Sequence, residues 1–253
     1  MKGLLKNELW DNRELTIYVP PTYGSKPDRA YPVVYVHDGG NLFDPKYSES
    51  LTVLERQFAS GELRELILVG IRPLQRLDEY TPWPAQALSA KFADFGGRGS
   101  EYADLIVRKL IPYIRERYAV LEGPEHTAMA GASLGGLISM YAAYLHPDRF
   151  GRIGSISGSY WYPGFVDYMR AHSLEDRAYR RIYMDVGSIE GKQMYPLNRQ
   201  VHALLRQMGH DDDRLRFDVE EGAAHDPSLF PMRLPKALQW LFADRTGKDK
   251  KIR

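Results

Sequence analysis

The chain has 253 residues, of which 43% are hydrophobic and 26% are charged, a composition typical of a soluble globular protein and not of a disordered or membrane-embedded one. Its 34 basic and 33 acidic residues leave a formal net charge of +1, so the charge gives no reason to expect binding to nucleic acid or to an anionic membrane. The absence of cysteine excludes disulfides, a cysteine nucleophile and thiolate metal sites.

The first residues, 1–8, lack the continuous apolar stretch of a signal peptide, and no later run approaches the length of a membrane span. We therefore expect a cytoplasmic protein that does not insert into a membrane. No histidine pair has zinc-ligand spacing, and no glycine-rich phosphate loop occurs. We expect neither a metal nor another cofactor, and the sequence does not indicate the oligomeric state.

Segments typical of strands and helices alternate along the chain, which indicates a mostly parallel central sheet flanked by helices on both faces. Continuous apolar runs at 32–36 and 66–71 predict central strands, whereas the alternating run at 14–19 predicts an edge strand. No repeat or linker interrupts the series, so we expect a single α/β domain over 1–253. The predicted strands are 14–19, 32–36, 66–71, 126–130, 152–157, 181–186 and 215–219, and the predicted helices are 49–60, 101–118, 137–145, 196–208 and 229–242.

Two segments, at about 72–99 and 159–177, break the regular alternation. Long irregular segments in compact domains are more often functional than incidental. Both follow strands, and the carboxyl ends of the strands are where open parallel sheets bind ligands. We expect these segments to form the walls of a substrate cleft and not a separate lid domain.

The most informative motif is Gly131-Ala132-Ser133-Leu134-Gly135, which matches the G-x-S-x-G turn on which hydrolases expose a nucleophilic serine. Such a turn brings the residues two before and two after the serine close together, and glycine at both positions removes side chains that would clash. A short run of small and apolar residues precedes the motif and an apolar helical segment follows it. The sequence therefore predicts strand, turn and helix with Ser133 as the nucleophile.

A serine hydroxyl needs a base to act as a nucleophile near neutral pH. In α/β-hydrolases the order along the chain is serine, then an acid, then histidine. His225 lies in a loop of small residues after the last predicted strand and before the final helix. Of the seven histidines it has the position that this order requires, so we predict it as the base.

The acid is less clearly indicated. Glu190 lies in the turn after the strand at 181–186, where the order of the residues places the acid, and it is our prediction. Asp185 competes, although within a strand it would point into a helix interface or meet a basic partner. Asp226 would have awkward geometry beside His225, and a working Ser–His pair without an acid is a further alternative.

Attack on an ester creates an oxyanion, which needs preorganised hydrogen-bond donors. One predicted donor is the backbone N–H of Leu134, immediately after the nucleophile. The other should come from the loop after the strand at 32–36, where paired glycines permit close approach of the backbone. The N–H of Gly40 is the predicted second donor, and an ordinary turn is the alternative reading of this loop.

With these features the chain resembles the esterase D and enterochelin-esterase-like (putative-esterase) family of α/β-hydrolases. That family includes siderophore hydrolases, feruloyl and acetylxylan esterases, S-formylglutathione hydrolase and acyltransferases. The resemblance covers most of the chain and implies an α/β-hydrolase fold and carboxyl-ester hydrolysis through a serine acyl-enzyme. The segments that carry it are Val33-Val34-Tyr35-Val36-His37-Asp38-Gly39, Glu79-Tyr80-Thr81-Pro82, Tyr102 with Leu110-Ile111-Pro112-Tyr113-Ile114, the motif at 131–136, Tyr144 with Pro147 and Phe150, and the loop at 222–225.

The expected function is hydrolysis of a small-molecule ester, of the siderophore type or another small ester. Transfer of the acyl group to a sugar or alcohol, and a non-catalytic binding protein on the same fold, are the alternatives. Four residues in the irregular segments are predicted to bind substrate. Arg72 and Arg76 could meet a carboxylate or catecholate, and Tyr160 and Trp161 could stack on an aromatic acyl group, with solvated surface or packing as the plain alternatives.

Overall fold

The computed structural model describes residues 2–25, 28–87, 93–174 and 178–243. The strands are β1 Leu4–Trp10, β2 Arg13–Val19, β3 Val33–Val36, β4 Ile67–Ile71, β5 Pro84–Ala85, β6 Phe95–Gly96, β7 Thr127–Ala132, β8 Arg152–Ile156, β9 Arg181–Gly187 and β10 Leu215–Glu220. Eight of them form the central sheet, in the order β1-β2-β4-β3-β7-β8-β9-β10, and β5 and β6 pair separately. In the central sheet β1 and β2 pair antiparallel, as do β2 and β4, and every later pair is parallel.

Helices cover both faces of the sheet, as predicted. The helices are α1 Ser50–Ser60, α2 Arg76–Glu79, α3 Gly99–Leu105, α4 Ile111–Arg117, α5 Leu134–Leu145, α6 Phe165–Ala171, α7 Met194–Gln207 and α8 Leu234–Leu241. On one face, α1 and α8 bury leucines in one apolar cluster, and α8 lies over β8 and β9. On the other face, α3 to α7 pack over a larger apolar cluster. In the described part of the chain, no helix is long and apolar enough to cross a membrane.

Two expectations about single elements need correction. β2 is not an edge strand, because β1, which the sequence did not suggest, pairs along its whole length and forms the edge. β1 could not be predicted from the sequence because its side chains are exposed or half-buried, including that of Leu9. Its apolar residues therefore do not alternate regularly with polar ones. The final predicted helix is shorter, since two 3-10 turns replace its first part.

The predicted helix over 101–118 is interrupted just before Pro112. A π turn, Ile106–Leu110, separates α3 from α4. Proline has no N–H to donate to the carbonyl one turn back, and its ring crowds that carbonyl. A wider π turn before the proline relieves this crowding. The helix therefore continues over the sheet in two pieces.

The two irregular segments pack against each other near the end of α5. Trp83 donates a hydrogen bond from its indole N–H to the Pro163 carbonyl at 2.9 Å, and its ring lies 6.0 Å from that of Tyr162. Part of each segment, 88–92 and 175–177, lies outside the described residues. The described parts contain the short elements α2, β5, β6 and α6.

A buried ion pair fixes the segment that contains Glu79 to β2. Arg13 donates two hydrogen bonds to the Glu79 carboxylate, at 2.7 and 2.8 Å, and both side chains are less than a tenth exposed. Removing one partner of a buried pair leaves the other charge uncompensated, which costs about 3–5 kcal/mol.

We therefore expect Glu79→Gln to lower the free energy of unfolding by about 3–5 kcal/mol in urea denaturation. The matched control is Glu101→Gln, which breaks an exposed pair with Arg98 and should cost less than about 1 kcal/mol. Equal effects of the two variants would show that the buried pair contributes no more than a surface pair.

Candidate active site

Ser133 lies in a sharp turn between β7 and α5, with the strained backbone angles φ 58° and ψ −120°. A non-glycine residue with positive φ persists only where its surroundings enforce it. The turn is possible because Gly131 and Gly135 approach closely: a Cβ atom on Gly131 would lie 2.8 Å from the Gly135 carbonyl carbon. The Ser133 side chain is thereby presented at the carboxyl end of β7.

His225 reaches Ser133 from the loop that follows β10. Its Nε2 lies 3.0 Å from Ser133 Oγ, and its Nδ1 lies 2.8 Å from Glu190 Oε2. The ring of Phe230 packs edge-on against the imidazole at 5.0 Å. The structure therefore brings the three predicted residues into one hydrogen-bonded series, and an Nδ1–H donated to the carboxylate leaves Nε2 free to accept the serine proton.

The other carboxylate oxygen of Glu190 is held by three donors. Oε1 accepts hydrogen bonds from the Ser157 hydroxyl at 2.5 Å, the Gly187 N–H at 2.6 Å and Arg233 Nη1 at 3.2 Å. Burial raises the pKa of Glu190, but the hydrogen bonds from His225, Ser157 and Gly187 outweigh burial and leave the pKa below its ordinary value. Glu190 is therefore ionised and fixed in orientation.

The competing acids make other contacts. Asp185 accepts hydrogen bonds from the Ser157 N–H at 3.1 Å and from Arg233 at 3.2 Å, so it meets a basic partner as expected of it. Asp226 accepts from the backbone and hydroxyl of Ser228. Neither carboxylate bonds to His225, whose Nδ1 bonds to Glu190.

Asp185 shares the Arg233 cation with Glu190 in a buried network. Burial raises the pKa of Asp185 to about 7, although Arg233 and the Ser157 N–H oppose the rise. Between the unfolded pKa of about 3.9 and the folded value, the folded state holds a proton that the unfolded state releases. Stability should therefore fall as the pH rises through this window.

We expect Asp185→Asn to remove that fall, which is on the order of 2–4 kcal/mol between about pH 4 and pH 7. The measurement is the free energy of unfolding at a series of pH values. Asp167→Asn is the control, because Asp167 is exposed on α6. An Asp185→Asn protein with the pH dependence of the parent would contradict the titration assigned to Asp185.

The predicted oxyanion donors differ in their availability. The Leu134 N–H, at the first residue of α5, makes no hydrogen bond with the described residues. The Gly40 N–H, in contrast, donates to the His37 carbonyl at 3.2 Å, because residues 38–40 form a 3-10 turn. Gly40 is therefore a poorer donor than the sequence suggested, and the Gly39 N–H is the one in this turn without a partner among the described residues.

Residues from the segments that carry the family resemblance, together with Arg76, support this turn. Tyr80 accepts a hydrogen bond from the Asp38 N–H at 2.8 Å, and Arg76 donates to both Asp38 carboxylate oxygens at 2.6 and 3.0 Å. His37 immediately precedes this turn, and its Nδ1 is hydrogen-bonded to the Tyr102 hydroxyl at 3.0 Å. Burial lowers the pKa of His37 to about 3, so the ring is neutral.

A cavity of about 510 Å³ surrounds Ser133 and His225. Arg76 lines it, but its guanidinium is already paired with Asp38. Arg72 lines an adjoining groove and is paired with Glu14 at 2.6 Å. Among the residues around this cavity that the sequence did not single out are Asn41, Tyr47 and Phe230.

The two aromatic candidates lie elsewhere. Tyr160 is only 1% exposed, donates a hydrogen bond to Ser155 Oγ at 2.7 Å and does not line the cavity around Ser133. Trp161 packs on Phe95 at 5.9 Å and does not line the cavity around Ser133. Their aromatic character reflected packing beneath an irregular segment, the plainer of the two readings.

Ser159 also contacts the nucleophile turn, and it was not singled out from the sequence. Its hydroxyl lies 3.1 Å from Ser133 Oγ, and its N–H donates to the Ser133 carbonyl at 3.1 Å. Since its side chain comes from the turn after β8, only the pairing of β8 with β7 brings it near the elbow.

The sheet order and the serine turn define the chain as an α/β-hydrolase. It belongs to the esterase family whose model, described as "Putative esterase", matches residues 7–241, and it is therefore an ester hydrolase. The uncharacterized protein YbbA of Bacillus subtilis is 43% identical over 249 residues, which cover 96% of this chain and 97% of YbbA.

Similarity to siderophore esterases is more distant. The iron(III) enterobactin esterase of Dickeya dadantii is 26% identical over 157 residues, 56% of this chain and 34% of that protein. The crystal structure of the enterobactin esterase FES from Shigella flexneri in the presence of enterobactin has a TM-score of 0.76 at 20% identity, over 94% of this chain and 58% of that one. This chain thus spans about a third of the first protein and less than two thirds of the second, and the structural likeness establishes the fold alone.

Proposed function

We propose that the chain hydrolyses carboxylic esters through an acyl-enzyme formed on Ser133. The observation that carries this proposal is the hydrogen-bonded series at the elbow, with Ser133 Oγ 3.0 Å from His225 Nε2 and His225 Nδ1 2.8 Å from Glu190. A serine, a base and an orienting acid in this geometry recur on unrelated folds that perform acyl transfer.

The steps follow from the positions of these groups. Ser133 Oγ attacks the ester carbonyl carbon while His225 Nε2 accepts the serine proton, and Glu190 stabilises the resulting imidazolium. The Leu134 N–H, with the Gly39 N–H as second donor, stabilises the negative charge on the carbonyl oxygen. His225 then returns the proton to the departing alcohol, and a water molecule activated by His225 releases the acid and regenerates Ser133.

The substrate is proposed as a small ester, with siderophore-type esters as the first class to test. Support comes from the Dickeya dadantii relative, whose name assigns it iron(III) enterobactin. The cavity of about 510 Å³ at Ser133 is large enough for a substituted acyl group.

The experiment is rapid-mixing kinetics with p-nitrophenyl acetate, followed by a panel of short acyl esters, feruloyl esters and a catecholate trilactone. The proposal expects a burst of p-nitrophenol equal to the concentration of active protein, since the good leaving group makes acylation faster than the attack of water on the acyl-enzyme. Added alcohol should compete with water only weakly. A protein without turnover on any ester would overturn the proposal, and a predominant ester product would favour acyl transfer instead.

A further inference from the structure

The outer strand of the central sheet, β1, has an open backbone edge. It pairs with β2 on one side, and no strand of the described chain pairs with it on the other. Such an edge is a template for a further strand, and proteins commonly protect it with a proline, a bulge or an exposed lysine. β1 contains no proline, and its register with β2 has no bulge. Its one lysine, Lys6, is therefore the feature that decides whether the edge is protected.

The β1–β2 hairpin determines which backbone groups point out of this edge. Asp11 and Asn12 form a two-residue turn in which both have positive φ, 48° and 61°, as a type I′ turn requires. The flanking pair, Trp10 with Arg13, is hydrogen-bonded, and from there hydrogen-bonded and non-hydrogen-bonded pairs alternate along the hairpin. The odd-numbered residues of β1 therefore direct their N–H and C=O groups away from β2. These residues are Leu5, Asn7 and Leu9.

A hydrogen bond on the far side of β2 agrees with this alternation. Glu14 lies opposite Leu9, and its carbonyl accepts from the Arg72 N–H at 3.1 Å, at the end of β4. Within a strand the N–H and C=O of one residue point to the same side, so Glu14 directs both toward β4. The backbone groups of Leu9 are left facing the open edge.

The charges on β1 are self-complementary when two copies pair antiparallel about Asn7. In that register Lys6 faces Glu8 of the second copy on the same face of the sheet, and unlike charges directly opposite stabilise the pair. The Glu8 carboxylate is held on this face by the hydroxyls of Tyr113 and Tyr118, which are neutral donors and leave its charge in place. Centring the pair on Lys6 or on Glu8 instead would bring two like charges face to face. Lys6, which alone would oppose strand pairing, thus selects one register.

The same register covers exposed apolar side chains. Leu4 is 50% exposed and Leu9 is 74% exposed. Leu4 then faces Trp10 of the second copy, whose ring packs on Tyr113 of its own chain. On the other face of the sheet, Leu9 faces Leu5 of the second copy. Burial of these side chains adds to the stability that the backbone hydrogen bonds provide.

We propose that two copies of this chain associate through β1, antiparallel about Asn7, so that their central sheets become one continuous sheet. The outward backbone groups form about six hydrogen bonds across the two-fold axis. One pair of short strands buries a limited area, so the dimer dissociates on dilution. The inference does not depend on the proposed function, because no residue of β1 lines the cavity around Ser133.

The chain contains no cysteine, so single introduced cysteines report the register directly. In the proposed dimer the two Asn7 Cα atoms lie about 5.5 Å apart, within the range of a disulfide. Asn7→Cys should therefore form a covalent dimer under mild oxidation. Leu9→Cys is the control, because the two Leu9 Cα atoms lie about 14 Å apart although this side chain is the more accessible. A mixture of Leu5→Cys and Leu9→Cys should form the mixed disulfide.

Sedimentation equilibrium at concentrations up to about 1 mM measures the association without a cross-link. The parent should change from one chain to two as the concentration rises. Asn7→Pro removes an outward N–H that the chain itself does not use, and it should raise the dissociation constant about tenfold or more. Asn7→Ala is the matched control, which keeps that N–H and should stay within about threefold of the parent.

A charge variant tests the register in solution. Lys6→Glu places carboxylates opposite one another at two positions of the dimer, so the dissociation constant should rise about tenfold. Turnover of p-nitrophenyl acetate and circular dichroism should be unchanged in this variant and in Asn7→Pro, which would show that each chain is still folded.

Three results would overturn the proposal. One is a parent protein that stays a single chain at every concentration. Another is a dimer that Asn7→Pro and Lys6→Glu leave as stable as the parent, which would place the interface elsewhere. The third is a Leu9→Cys protein that cross-links with itself as fast as Asn7→Cys, which would indicate random collision of exposed thiols.

Discussion

Replacing Ser133 with alanine is expected to lower kcat for p-nitrophenyl acetate by about 10⁴-fold or more, with the fold unchanged. The loss should be this large because Ser133 Oγ is the atom that attacks the carbonyl, and His225 has no other hydroxyl to activate at that position. Ser159 cannot replace it, since its side chain is fully buried. Circular dichroism and urea denaturation would establish that folding is preserved.

The matched control is Ser60→Ala, which removes an exposed hydroxyl at the end of α1. It should keep kcat within about twofold, as expected of a surface substitution. A Ser133→Ala protein that retained more than about a tenth of the parent activity would contradict acylation at Ser133.

The second large effect is expected for Glu190→Gln, which should lower kcat by about 10³- to 10⁴-fold with little change in KM. Glutamine keeps the shape but removes the charge that stabilises the imidazolium, and its amide N–H₂ can force the wrong tautomer on His225. The side chain of Glu190 is fully buried, so water cannot supply the lost charge. Steady-state kinetics across a pH series would measure the effect.

The alternatives for the acid provide the controls. Asp226→Asn changes the residue beside His225, but Asp226 bonds to Ser228, so kcat should stay within about threefold. Asp185→Asn should reduce kcat less than Glu190→Gln, because Asp185 acts on the Glu190 network only through Arg233 and Ser157. A larger loss in either control than in Glu190→Gln would assign the acid elsewhere.

The sheet and the positions of Ser133, His225 and Glu190 could be read from the sequence because they depend on local patterns. Apolar runs mark buried strands, and the order serine, acid, histidine follows from the ends of successive strands in this fold. The fold prediction is confirmed, whereas the roles of the three side chains remain predictions that the variants above test.

The contacts that hold the site residues in place could not be predicted from the sequence in the same way. Arg233 meets Glu190 from a 3-10 turn before α8, a contact between segments that no local pattern reveals. The sequence did not reveal that the turn at 38–40 uses the Gly40 N–H internally, which makes Gly40 a poorer donor than its place in the loop suggested. The burial of Tyr160 could not be predicted, because an aromatic residue in an irregular segment can face the interior or the cleft, and only the packing decides which.

The central claim, that Ser133 is an activated nucleophile, is tested most directly by labelling with a fluorophosphonate and locating the adduct by peptide mass spectrometry. The account predicts one adduct per chain, on Ser133, formed rapidly in the parent, slowly in Glu190→Gln and not at all in Ser133→Ala. An adduct on another residue, or a parent protein that takes up no label, would contradict it.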